Sequence, residues 1–165
     1  MVKKINIEKA VEFIKSEYSD IYDTMIFMAF DNGRPEEEVE LEVNSIDNGL
    51  KNHEQVFLNM GLMYHDPDAS GYEGIVIYDS EYNEMELKVD FGEDFNGYYG
   101  KYSYMLGGYG VFINKDYTVD YGCYVSRPYG HGMGSYEYYN LKDAEDWDEV
   151  KIALTKVIDE LDIWE

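Results

Sequence analysis

The sequence predicts an α+β fold: a single domain over residues 1–165 with a mainly antiparallel sheet, amphipathic helices near both termini and one helix between strands. Three observations carry this expectation. Apolar residues recur at helical spacing near each end of the chain, several central segments alternate apolar with charged residues, and the connections between those segments are hairpin-short. All 165 residues fit the usual size of one domain, and no Pro/Gly/Ser-rich linker divides them into two blocks. The apolar fraction of 45% and the many aromatic and β-branched residues set the chain apart from a disordered acidic tail.

The first helix follows Asn6, a good N-cap, because Ile7, Ala10, Val11, Ile14 and Tyr18 share one face while Glu8, Lys9, Glu12 and Lys15 occupy the other. The run from Tyr22 to Phe30 is apolar on both faces, as in a central strand, and Asp31-Asn32-Gly33-Arg34-Pro35 supplies turn chemistry after it. Glu37 to Val43 then alternates strictly. Val39, Leu41 and Val43 are expected to point inward, with Glu38, Glu40 and Glu42 on the opposite face of a second hairpin arm. Ile46, Leu50, Phe57 and Met60 are spaced for a helix from about Ser45 to Met60, closed by Gly61 and weakened by Gly49.

Beyond a turn-rich stretch from His65, strands are expected at Gly74 to Asp79 and Met85 to Phe91, joined as a hairpin. Between Gly97 and Asn140 the composition changes: 12 of the 18 tyrosines and 9 of the 15 glycines fall here, with only three acids. Val111 to Ile113 and Tyr117 to Val125 fit a hairpin that turns at Asn114, Lys115 and Asp116. Trp147, Val150, Leu154, Val157, Ile158 and Leu161 trace the buried face of a closing helix, with Asp146 and Glu149 spaced as a capping box.

Charge narrows the function classes. Thirty-five acids against 13 bases leave a net charge of −22, which repels phosphate backbones and anionic lipid and favours a basic partner. Direct binding to nucleic acid or to a membrane surface is therefore not expected. The N-terminal segment has two lysines but no apolar run behind them, as a signal peptide or membrane span would require. With one cysteine, Cys123, no internal disulfide can form, and a cytoplasmic location is expected.

Candidate chemical sites are incomplete. Asp66, Asp68, Ser70 and Gly71 reproduce the opening of a calcium loop, but Ile77 stands where the bidentate acid is needed and Glu73 stands at the apolar eighth position. The expectation is a turn without tightly held metal. His53, His65 and His131 lack zinc-site spacing, and a Cys123–His131 nucleophile pair is outweighed by the role of Cys123 as a small sheet residue. Gly108-Tyr109-Gly110 is followed by an apolar strand-like run, and Gly130, Gly132 and Gly134 have neither a phosphate-binding lysine nor an immediate helix N-terminus. No cofactor, metal or catalytic residue is expected. The tyrosines are mainly assigned to sheet packing, although each ring also offers contact area at low entropic cost.

The size, acidity, flanking helices and central antiparallel strands resemble the small cytosolic immunity proteins of bacterial polymorphic-toxin systems. The hairpin from Gly110-Val111-Phe112-Ile113 through Tyr117-Thr118-Val119-Asp120-Tyr121 is similar to one in antitoxins of secreted nucleases, over about a dozen residues. That resemblance implies occlusion of a basic, nuclease-type toxin without catalysis, and it transfers no individual positions. The expected contact patch is Glu36, Glu37, Glu38, Glu40 and Glu42, because carboxylates at alternating strand positions face one partner. A DNA-mimic inhibitor of a restriction or CRISPR-type nuclease is the first alternative, and the nearly neutral stretch from Gly97 to Asn140 argues against the uniform surface it would need. An unrecognised enzyme or small-ligand-binding protein is the second.

Overall fold

The computed structural model describes residues 2–18, 27–31, 34–39, 43–64, 74–78, 84–90, 106–130, 133–143 and 148–165. In chain order these form α1 (Ile7–Tyr18), β1 (Phe27–Asp31), β2 (Arg34–Val39), α2 (Val43–Asn52), β3 (Gln55–Tyr64), β4 (Gly74–Tyr78), β5 (Glu84–Asp90), β6 (Leu106–Asn114), β7 (Val119–Gly130), β8 (Met133–Asn140) and α3 (Asp148–Asp159). The fold is α+β. Among the described residues every strand pairing is antiparallel.

β3 organises the sheet. It pairs with β6 along its whole length, with β1 beside its first half and with β4 beside its second, so the order runs β2-β1-β3-β6-β7-β8 with the β4–β5 hairpin as a branch. A strand with neighbours on both sides and both faces buried is mostly apolar, and Val56, Phe57, Leu58, Met60 and Met63 are all buried. This corrects the helix expected from Ser45 to Met60. That helix ends at Asn52 and Phe57 and Met60 belong to the strand, because a segment buried on both faces satisfies helical spacing by accident.

The two faces of the sheet differ. One carries Val56, Leu58, Tyr109, Val111, Ile113 and Cys123 against the apolar stripes of the three described helices: Ala10, Val11 and Ile14 of α1, Ile46 and Leu50 of α2, and Val150, Leu154, Val157 and Ile158 of α3. The other gathers Phe30, Phe57 and Phe112, with Tyr124 and Tyr138 packed against them. Strand alternation explains the division, since successive residues of β3 and β6 point to opposite faces.

Local chemistry fixes the element ends. Asn6 Oδ1 accepts a hydrogen bond from the Lys9 amide at 3.0 Å, the expected N-cap of α1. The segments before α1 and after α3 pair with each other: Ile5 bridges Trp164, the Asn6 amide donates to the Ile163 carbonyl at 2.8 Å, and the Glu165 amide donates to Lys4 at 3.0 Å. Lys3 reinforces this seam by an ion pair to Asp159 at 3.0 Å and by lying over the Trp164 ring.

Several boundaries depart from expectation. β2 ends at Val39 and Val43 opens α2, so the alternating arm from Glu37 to Val43 is not one strand. Pro35 opposes Phe30 while Glu37 opposes Ala29, leaving Glu36 as the unopposed residue of a bulge. β8 has no counterpart among the expected strands, because its Tyr-rich sequence lacks aliphatic alternation. Leu161 lies beyond α3 but still packs on the core, and Asp146 and Trp147 fall outside the described residues.

Candidate interaction surface

Acidic residues of the expected contact patch lie at the margin of the sheet. Glu36, Glu37 and Glu38 belong to β2, which among the described residues pairs only with β1 and so ends the strand order. Glu37 and Glu38 stand opposite Ala29 and Met28 in the ladder. Charged residues and proline on such an edge discourage a further strand from adding, and Pro35 adjoins the acids here. Glu40 and Glu42 lie outside the described residues, as do Asp66, Asp68, Ser70, His65 and His131. Of the row Glu38/Glu40/Glu42, Glu38 alone falls within the described residues, on β2.

A second polar region forms where β3 begins and β6 turns into β7. Gln55 Nε2 donates to Asn114 Oδ1 at 2.7 Å, and Asn114 Nδ2 donates to Thr118 Oγ1 at 3.2 Å. The Thr118 amide and hydroxyl both donate to Asp116 Oδ1, which holds the Asp116 carboxyl below its usual range. Lys115 Nζ meets Glu54 Oε1 at 3.3 Å. Together Glu54, Gln55, Asn114, Lys115, Asp116 and Thr118 line a shallow recess of about 440 Å³.

The same turn holds Tyr117 in the left-handed region, with φ at 65°. Among the described residues no other non-glycine residue does so, and the conformation is disfavoured for a residue with a bulky Cβ substituent. Its backbone is held by neighbours: the Ile5 amide donates to the Tyr117 carbonyl at 3.1 Å, and Lys4 bridges Thr118. Its hydroxyl donates to Asp47 Oδ1 of α2 at 2.7 Å, and this bond to a carboxylate raises the phenol pKa. The turn is thereby fixed from two directions while 36% of Tyr117 remains exposed.

Most other notable residues have packing roles. Tyr109 lies over Gly61, where an added Cβ would come within 2.5 Å of the phenol oxygen, and Tyr124 lies over Gly108, where it would come within 2.5 Å of the ring. The glycines of the Gly108-Tyr109-Gly110 pattern therefore make room for rings and for the neighbouring strand. Asn59, the buried polar residue of β3, donates to the Tyr124 hydroxyl at 3.2 Å and accepts from the Gly61 amide at 3.2 Å across the bulge at Met60. Cys123 is fully buried among aliphatic residues, which pushes its thiol pKa upward. Tyr121 is half-buried and donates a short hydrogen bond to Asp159; burial first, and that bond second, raise its pKa.

Neither a family model, a curated protein nor a solved structure matches the chain. Among the described residues no three or more His, Cys, Asp or Glu side chains converge as metal ligands would, and no helix is long and apolar enough to cross a membrane. The surface features that sequence reading passed over are Tyr117, Asp47 and Glu54. Only Tyr117 had a local signal: it follows Asn-Lys-Asp in a hairpin turn, a position where glycine or asparagine is expected.

Proposed function

We propose that this protein binds and occludes a basic protein partner in the cytoplasm, in the manner of an immunity protein facing a nuclease-type toxin, and carries out no reaction itself. The observation that carries the reading is the net charge of −22 on a folded α+β scaffold whose outermost described strand on one side, β2, contains Glu36, Glu37 and Glu38. A nuclease is basic where it binds phosphate. An acidic surface raises the encounter rate with such a groove, and aromatic contacts then slow escape.

Affinity capture from native cells, followed by assay of the retained protein, tests this reading. Support would be a basic protein whose nuclease activity is abolished by one equivalent of the chain. Recovery of no partner, together with turnover of a small substrate by the purified chain, would overturn it.

A further inference from the structure

We infer that the outer face of α3 is a self-pairing surface, on which a second copy of this chain docks antiparallel about a two-fold axis at Ile152. Away from the core stripe Val150/Leu154/Val157/Ile158, α3 carries two ridges of residues four apart: Asp148, Ile152 and Lys156 in one, Lys151, Thr155 and Asp159 in the other. The groove between them is a shallow recess of about 590 Å³ lined by these six side chains. Ile152 lines it with 70% of its surface exposed, although a solvated helix face is ordinarily polar.

Charge selects the occupant. The whole chain stands at −22, so two copies repel over most of their surface, whereas this face holds two acids against two bases. Neither Lys151 nor Lys156 makes an ion pair among the described residues, and Lys151, Ile152 and Lys156 are all exposed. When the four-apart ridges of two helices interdigitate, at the common crossing of about −50°, an antiparallel copy lays the same ridge alongside in reverse order. Asp148 then meets Lys156 of the second copy, Ile152 meets Ile152, and Lys156 meets Asp148. That contact is self-complementary, as a two-fold interface requires. A parallel copy would set like charges side by side. The ion pairs fix the register and each adds little affinity, while the paired isoleucines supply apolar area. Asp159, on the neighbouring ridge, is already paired with Lys3.

Sedimentation velocity of the full chain tests the pairing, at concentrations from roughly 1 µM to 1 mM, which bracket the weak affinity expected of a small interface. The average mass should rise towards twice that of one chain. Asp148→Lys and Lys156→Asp should each hold the chain monomeric, with circular dichroism showing that α3 persists. Asp148→Lys lowers the net negative charge, so general repulsion alone would predict the opposite result. An equimolar mixture of the two variants should recover the dimer, because each copy supplies the charge that the other lacks; a merely structural role of either residue does not produce that recovery. Ile152→Asp should abolish pairing with little change in melting temperature. Ile152→Cys should cross-link two copies under mild oxidation, since Cys123 is buried and does not compete. A single-chain mass throughout the series, or a dimer that survives both single charge reversals, would overturn the inference. Amide shifts on α3 that arise only when a captured basic partner is added would assign the ridge to that partner and overturn it equally.

Discussion

Gly110→Ala should be among the most damaging single-methyl changes in this protein. Gly110 sits in β6 between Asn59 of β3 and Gly122 of β7, at the centre of the sheet. A Cβ built there overlaps the Leu58 carbonyl oxygen and lies 2.9 Å from its carbon, so the obstacle is backbone and cannot rotate away. Relief requires β6 to move off β3 by roughly the missing ångström or so, which weakens adjacent ladder bonds worth about 1 kcal/mol each and unpacks Val111 and Leu58. Adding the usual cost of overpacking, about 1–3 kcal/mol, the expected loss is about 3–5 kcal/mol. Urea denaturation monitored by circular dichroism measures it. The melting temperature should fall by roughly 10 °C on the scale for a domain of this size. Gly108→Ala is the control, because two of its three nearest obstacles are the Tyr124 ring and Asn59 Oδ1, which can shift; it should cost less. A Gly110→Ala loss below about 1 kcal/mol would refute the close β3–β6 approach on which the position of the β6–β7 turn depends.

Other expectations follow from the same geometry. Phe57→Ala should cost about 3–5 kcal/mol, because Phe57 is 1% exposed and touches Phe30, Phe112, Tyr124 and Tyr138; a loss near zero in the same denaturation assay would show that this cluster is not packed. Stability should fall as pH rises above about 8.5, since Cys123, Tyr117 and Tyr121 all have raised pKa values in the folded chain. The unfolded chain loses these protons at their ordinary pH while the folded chain retains them, so alkali favours unfolding. Thermal melts between pH 7 and 11 measure the slope, and a flat profile would contradict the buried states of Cys123 and Tyr121. Lys3→Gln, which removes the Asp159 ion pair and the contact over Trp164, should cost no more than about 1 kcal/mol, with a change in Trp164 fluorescence as the local readout.

Elements with a single apolar face were legible in the sequence. The stripe Ile7/Ala10/Val11/Ile14 and the stripe Val150/Leu154/Val157/Ile158 each pack onto the helix-covered face, and the hairpins β4–β5 and β6–β7 form where short connections separate apolar runs. Where both faces are buried, periodicity loses its meaning. Gln55–Tyr64 contains Phe57 on one face, Leu58 on the other and a bulge at Met60, so its pattern matched a helix although its neighbours make it the central strand. β8 is illegible for a different reason: its Tyr-rich sequence carries no strand pattern of its own, and its place is set by pairing with Tyr124 and its neighbours in β7. The bulge at Glu36 and the start of α2 at Val43 were not legible, because they are set by pairing with β1 and by core packing. Tyr117 could be suspected from its place in a turn, whereas its contact with Asp47 spans 70 residues and needs the fold.

Association kinetics with the captured partner, measured by stopped flow at about 0.01 M and 0.15 M salt, where the screening length falls from roughly 30 to 8 Å, tests capture by charge most directly. The association rate should drop at least about tenfold across that range while dissociation changes little, as electrostatic steering requires. An association rate indifferent to salt, or a salt effect confined to dissociation, would contradict it.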